Sequence, residues 1–122
     1  MTINLYYAHS KQIYFTDIEK RELLQVIKKF PNAEIFNPSK LFKTEFGWHS
    51  FMTREFPKMD LVVFTLYQGF IGKGVYDEIQ TANKLKIPVK FMTPDGNITS
   101  TFRLSNPDPF SFIYYSEIHW VN

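Results

Sequence analysis

Residues 60–89 constrain the fold of this chain more than any other stretch; they read DLVVFTLYQGFIGKGVYDEIQTANKLKIPV. The apolar run at residues 61–66 indicates a strand buried on both faces, which is typical of parallel sheets. Three apolar residues then repeat at helical spacing: Val75, Ile79 and Ala82. Pro88 ends that helix before a second apolar run at residues 89–92. The stretch therefore predicts a strand, a loop that carries Gly69, Gly72 and Gly74, a helix and a second parallel strand, with the loop at the edge where open parallel sheets bind ligands.

The rest of the chain alternates strands and helices in the same way. Before that stretch, we predict a strand at 3–8, a helix that begins with the capping-box pair Thr16 and Glu19 and runs to about Lys29, a strand at 33–36 and a loop at 37–40. After it, we predict a turn at 93–97, an extended segment at 98–104, a loop at 106–109 and a last strand at 110–115. We expect an α/β domain with three layers and a mostly parallel sheet of four to five strands. Residues 1–122 are about one domain in length.

Composition excludes several classes of function. The chain has no cysteine, so it can form neither a disulfide framework nor a thiol nucleophile. Its net charge is only +2 and its basic residues do not cluster, which argues against nucleic-acid binding. No apolar run approaches membrane-spanning length and no signal peptide precedes the first strand. We therefore expect a cytoplasmic protein without a membrane partner.

An aromatic segment, residues 41–57, joins the second predicted strand to the third. It carries five aromatic residues around Gly47. Four of its residues share one face of a short predicted helix: Trp48, Phe51, Met52 and Glu55. The segment can serve as a lid, as a subunit contact or simply as extra core packing, which is the commoner role of such rings.

Glu78 is an acidic residue beside the apolar stripe Val75, Ile79 and Ala82 of the predicted helix. Burial there raises the pKa of a carboxyl group, whereas the positive end of the helix dipole favours its ionised form. Such opposed influences are common at catalytic carboxylates. Acidic residues are also ordinary near helix starts, so a purely structural role at the edge of the stripe is the alternative.

This stretch resembles the nucleoside 2-deoxyribosyltransferase-like family, small Rossmann-like (flavodoxin-like) proteins that include deoxyribosyltransferases and nucleotide N-glycoside hydrolases. The most specific likeness is the spacing of five residues: Gly74, Glu78, Ala82, Pro88 and Val89. The opening strand with its loop, LYYAHS, the Asn37-Pro38 loop and Asp60 at the start of the third strand also resemble the family. The likeness spans residues 1 to about 95, and only 60–89 is distinctive. We assign Asp60 a structural role, because it lies at the N-terminal end of its strand.

The resemblance implies that Glu78 is the nucleophile that attacks the anomeric carbon of a nucleoside or nucleotide. It also implies a homo-oligomer, because family sites are often completed by a neighbouring subunit, and Asn97 is the nearest candidate for that role. Gly72 stands where active transferases carry an acidic residue that holds the base. Hydrolysis, or binding alone, is therefore favoured over base exchange.

Further substrate contacts are expected where the predicted strands end. They are Tyr7, His9 and Ser10 after the first strand, Asn37 and Ser39 after the second, and the amides near Gly72 and Gly74 after the third. The three histidines, His9, His49 and His119, have no ligand spacing, so we predict no metal and no cofactor. Three functions stay open: an N-glycoside hydrolase or transferase, a nucleotide-derivative binding module without turnover, and an assembly protein that uses the aromatic segment and the C-terminal tail.

Overall fold

The computed structural model describes residues 2–69 and 71–99. Its strands and α-helices follow in the order β1 Ile3–Ala8, α1 Asp17–Lys29, β2 Ala33–Phe36, α2 Pro38–Leu41, α3 Glu45–Arg54, β3 Leu61–Phe64, α4 Lys73–Lys84, β4 Val89–Met92 and β5 Ile98–Thr99. Short 3₁₀ helices lie at Lys11–Ile13 and Phe56–Lys58. The loop at 106–109 and the last strand at 110–115 predicted above, and most of the extended segment at 98–104, lie outside the described residues.

The five strands form one sheet in the order β2-β1-β3-β4-β5. The β1 strand pairs in parallel with β2 and β3, and β3 pairs in parallel with β4. The β5 strand is antiparallel to β4, because the turn at 93–97 is too short for the crossover that a parallel strand needs. The prediction of an α/β fold with four to five strands is confirmed, and the sheet is mixed. The four parallel strands end at one edge.

Side chains of β1 alternate between two hydrophobic clusters, as the period of a strand requires. Tyr6 and Ala8 join a cluster that contains Val75, Ile79 and Ala82 of α4, with Phe51 and Met52 of α3 packed against it. Leu5 and Tyr7 join the other cluster, together with Val26 and Leu23 of α1. Consecutive residues of β1 therefore contact different helices.

The start of each helix shows why these residues are helical. Thr16 caps α1 by accepting a hydrogen bond from the Glu19 amide, as predicted. The prediction of a loop at residues 37–40 is wrong, because Asn37 caps α2 and Pro38 occupies its first turn, where a missing N–H costs nothing. Gly74 lies within α4 rather than in the loop before it, and Gly72 is the N-cap.

None of the helices within residues 2–69 and 71–99 combines the length and the apolar character needed to cross a lipid bilayer.

Asp60 joins the starts of β1 and β3. Its carboxylate accepts a hydrogen bond from the Asn4 amide at 2.8 Å, and its own amide donates to the Asn4 carbonyl at 2.8 Å. Both bonds fit the structural role expected for Asp60.

Candidate active site

The carboxyl group of Glu78 is buried beneath the aromatic segment, on the face of α4 that packs against the sheet. Only 4% of the residue is exposed. Its Oε2 atom accepts two hydrogen bonds, one from the Tyr6 hydroxyl and one from Trp48 Nε1 at 2.8 Å. Its Oε1 atom makes no hydrogen bond with any residue in the part of the chain described here. The two oxygens of one carboxyl group therefore differ: Oε2 accepts from two donors, and Oε1 accepts from none of the described residues.

Aromatic packing holds the Tyr6 donor in place. The Tyr6 ring stacks on Phe51 with centroids 5.6 Å apart and meets Phe56 edge-on at 5.2 Å. Phe51 lies one turn after Trp48 on α3, and it also packs against Phe42 at 5.7 Å. The predicted helix in the aromatic segment is confirmed, and its Phe51 serves core packing. The lid and subunit-contact roles of the segment stay predictions.

Burial dominates the electrostatics of this cluster. It raises the pKa of Glu78 to about 7, although the hydrogen bonds from Tyr6 and Trp48 act in the opposite direction, and the charge of Asp77 adds to the increase. Burial and the nearby Glu78 charge also raise the pKa of Tyr6 well above its ordinary value, so its hydroxyl keeps its proton and donates. At neutral pH, Glu78 is therefore divided between its ionised and its protonated form.

Trp48→Phe should raise the pKa of Glu78 further, because it removes a donor that stabilises the ionised carboxylate and keeps most of the ring. The expected increase is about one pKa unit, the size of a charge-assisted hydrogen bond. Titration of the Glu78 side-chain carboxyl carbon by NMR measures it. Phe46→Leu, which changes an exposed ring on the same helix, is the control and should leave the titration unchanged. An unchanged pKa in Trp48→Phe would contradict this bond.

The same titration makes stability depend on pH. Because the folded-state pKa of Glu78, about 7, lies above the ordinary value of 4.5, its stabilising contribution is complete below pH 4.5 and is lost as the pH rises through 7. The loss amounts to about 3 kcal/mol. Glu78→Gln does not titrate, so the free energy of unfolding of the wild type should fall by that amount relative to the variant between pH 4 and 8. Urea unfolding measures both curves, with the exposed Glu55→Gln as a control that should follow the wild type.

A second buried cluster forms around His9, just after β1. His9 Nε2 lies 2.6 Å from Glu19 Oε2, and Nδ1 lies 3.0 Å from the Tyr7 carbonyl oxygen. The imidazole also stacks on the Tyr7 ring with centroids 3.8 Å apart. Burial alone would raise the pKa of Glu19, but hydrogen bonds from His9, Ser39 and the Phe15 amide lower it below its ordinary value. Both ring nitrogens of His9 therefore lie within hydrogen-bond distance of an oxygen atom.

Tyr7 is turned away from Glu78. Its hydroxyl donates to Glu22 Oε1 at 2.6 Å, and Thr65 Oγ1 donates to the same oxygen at 2.8 Å. Tyr7 belongs to the α1 side of the sheet, whereas Tyr6 reaches Glu78 on the α4 side. The structure thus brings Tyr7 and His9 together with each other but does not bring Tyr7 to Glu78.

The remaining predicted contacts have partners of their own. Ser10 caps the first 3₁₀ helix through the Gln12 amide at 3.1 Å. Asn37 Oδ1 accepts from the amide and the hydroxyl of Ser39, while Asn37 Nδ2 is buried and has no partner among residues 2–69 and 71–99. Asn97 is exposed in the turn before β5, where its amide donates to Thr93 Oγ1 at 3.1 Å.

The first turn of α4 begins at Gly72 without a side-chain cap, and Gly74 is buried within it. Glycine has no side chain, so the N-cap residue offers no side-chain acceptor to the amides of this turn. All the predicted substrate contacts stay predictions.

Four residues form hydrogen bonds with Glu78, His9 or Tyr7, although the sequence analysis did not assign them to the site: Tyr6, Glu19, Glu22 and Trp48. For Tyr6 the sequence contained a signal, because the side chains of a strand alternate and Tyr6 must lie on the opposite face from Tyr7. The capping-box interpretation of Glu19 was incomplete, since its carboxylate binds the Phe15 amide and also pairs with His9. Trp48 and Glu22 reach their partners only through the tertiary fold.

Fold and site together define an α/β protein with a buried, asymmetrically hydrogen-bonded carboxyl group next to a parallel part of its sheet. Comparison of the chain with models of protein families, with curated proteins and with solved structures finds no match in any of the three. The resemblance of residues 60–89 to the nucleoside 2-deoxyribosyltransferase-like family therefore depends on the motif around Glu78.

Proposed function

We propose that this protein cleaves the bond between base and sugar in a nucleoside or nucleotide, with Glu78 as the nucleophile and hydrolysis as the favoured outcome. The observation that carries this proposal is the asymmetry of the Glu78 carboxyl group, whose Oε2 is held by Tyr6 and Trp48 while Oε1 has no partner within the described residues. In the reaction, Oε1 attacks the anomeric carbon and the C–N bond breaks with its electron pair going to the base. Water then hydrolyses the glycosyl ester and restores the carboxylate.

The two donors suit both steps of this reaction. They stabilise the ionised carboxylate before attack, and in the ester they bind the carbonyl oxygen that Oε2 becomes. Because only ionised Glu78 can attack, its raised pKa implies that the rate increases as the pH rises through about 7.

The proposal includes the finer features that the resemblance implies. They are a three-layer, Rossmann-like arrangement, a homo-oligomer in the cytoplasm and a small-molecule nucleoside or nucleotide as the partner. The parallel order β2-β1-β3-β4 and the packing of α1 and α4 side chains into separate clusters support the first of these.

The test is chromatographic. The wild type and Glu78→Gln are incubated with a panel of nucleosides and nucleoside monophosphates that covers both sugars and all common bases, and free base is quantified. Release by the wild type alone supports the proposal. A folded wild type that releases no base from any member of the panel would refute it.

A second candidate is a binding module without turnover. The pKa of about 7 favours it, because the protonated fraction of Glu78 is not a nucleophile but donates a hydrogen bond to a ligand acceptor. The panel separates the two candidates when it is combined with thermal-shift binding, since a binding module is stabilised by a nucleoside that it does not cleave.

A further inference from the structure

Phe51 lies against the face of the Tyr6 ring. The two centroids are 5.6 Å apart and the ring planes differ by 29°, while Phe56 meets the edge of the same ring at 5.2 Å. Because a phenol oxygen lies on the long axis of its ring, it moves when the whole ring swings about the first side-chain torsion. One ring on the face and one at the edge limit that swing, so they also limit where the Tyr6 hydroxyl lies.

Two further rings pack against Phe51. Phe42, which follows α2, lies 5.7 Å from it, and Phe36, the last residue of β2, lies 6.3 Å from it, centroid to centroid. Phe51 itself belongs to α3, which is not part of the sheet that contains Tyr6. The ring on the face of Tyr6 is therefore supplied by a helix that is packed in place by aromatic contacts.

Both hydrogen bonds to Glu78 Oε2 depend on this one helix. Trp48 and Phe51 are three residues apart on α3 and so share one of its faces. Trp48 donates to Oε2 directly at 2.8 Å, whereas Phe51 contacts the ring of the other donor, Tyr6. The helix thus contributes one donor itself and packs against the second.

We propose that Phe51 is a positioning residue, whose ring keeps the Tyr6 hydroxyl on Glu78 Oε2. Without that ring, Tyr6 occupies other positions for part of the time, and the ionised carboxylate loses part of the stabilisation that this donor gives. The consequence for catalysis rests on the proposed function, in which Oε2 is held and Oε1 attacks. The positioning itself is measurable without turnover.

The first experiment is the NMR titration of the Glu78 side-chain carboxyl carbon in Phe51→Leu. The pKa of Glu78 should rise by about half a unit, a roughly threefold change in acid dissociation, because a displaced donor stabilises the ionised form less. Phe91→Leu is the matched control, since this half-buried ring packs against the same hydrophobic cluster and lies 5.3 Å from Phe64. It should leave the pKa of Glu78 unchanged. A pKa that does not rise in Phe51→Leu, or that rises equally in both variants, would overturn the proposal.

The second experiment tests whether Phe51 acts through Tyr6. In Tyr6→Phe the ring remains and the hydroxyl is absent, so adding Phe51→Leu should no longer change the pKa of Glu78. A general loosening of the cluster would act in both backgrounds. An equal pKa shift with and without the Tyr6 hydroxyl would therefore assign Phe51 a purely structural role and overturn the proposal. If Phe51→Leu does not fold, Phe51→Met, which keeps more of the side-chain volume, replaces it with the same expected results.

Measurement of base release connects this inference with the proposed function. With the nucleoside that is cleaved fastest, Phe51→Leu should lower kcat about 3- to 10-fold and change KM less, and the loss should again be absent in Tyr6→Phe. A Glu78 pKa that depends on Phe51 through Tyr6, without cleavage of any nucleoside, refutes the proposed function and leaves this inference standing. Cleavage that depends on Glu78, with a Glu78 pKa that does not respond to Phe51→Leu, does the reverse.

Discussion

Glu78→Gln is expected to lower base release by at least about 1,000-fold, the scale on which enzymes lose rate when a nucleophile is removed. Glutamine keeps the size of the side chain, and its carbonyl oxygen can accept from both Tyr6 and Trp48, whereas an amide nitrogen takes the place of the attacking Oε1. Affinity for an uncleaved nucleoside should therefore stay within about 3-fold, since less than one hydrogen bond is lost. Chromatographic release and calorimetric binding measure the two quantities on the same protein.

Asp77→Asn is the matched control. Asp77 precedes Glu78 on α4, and burial raises its pKa as well, but the hydrogen bonds from Tyr6 and Trp48 go to Glu78. Removal of the Asp77 charge also lowers the pKa of Glu78, so this variant should retain activity and move its pH profile slightly to lower pH. Equal losses in the two variants would mean that the negative charge of the helix start matters and that Glu78 is not the nucleophile.

His9→Leu should destabilise the fold by at least about 1–3 kcal/mol, because it leaves the buried Glu19 carboxyl group without its hydrogen-bond partner His9. The histidine side chain is fully buried and that of Glu19 is 8% exposed, so water cannot replace the lost bond readily. The stack of the imidazole on Tyr7 is lost in the same variant. The free energy of unfolding in urea at neutral pH measures the effect.

The double variant His9→Leu, Glu19→Leu tests whether the stability lost in His9→Leu comes from the unpaired charge of Glu19. Replacing both partners of a buried hydrogen bond by apolar residues can be nearly neutral, so the double variant should be more stable than His9→Leu alone. If the double variant loses as much stability as the two single variants together, packing rather than the unpaired Glu19 carboxylate accounts for the loss.

Much of the fold could be predicted from local patterns. The apolar run of β3, the helical spacing in α4 and the Thr16 cap of α1 are signals that neighbouring residues carry, and the structure has these elements within a few residues of the predicted bounds. The α2 helix was missed because its four residues contain too little periodicity to outweigh the loop composition of Asn37-Pro38. The antiparallel pairing of β5 depends on how the short turn after β4 closes.

The candidate site was predictable only in part. Glu78 could be singled out because an acidic residue interrupts an apolar stripe, and its burial is confirmed. Its donors could not be predicted, since Tyr6 is 72 residues and Trp48 is 30 residues away in the sequence. The choice between Tyr6 and Tyr7 depends on which face of β1 turns toward α4, and two adjacent tyrosines give the same pattern for either choice.

The adjacent tyrosines of β1 also favour one register of this strand in the sheet. Tyr6 satisfies Glu78 on one face and Tyr7 satisfies Glu22 on the other. A shift of β1 by one residue in one direction would bring Leu5 to Glu78, and in the other direction Ala8 to Glu22. Either the buried Glu78 or the half-buried Glu22 would then lose its tyrosine hydroxyl partner, at a cost of about 1–3 kcal/mol for the buried group. Two tyrosines on one interior strand thus favour the native alignment of β1 over a shift of one residue in either direction.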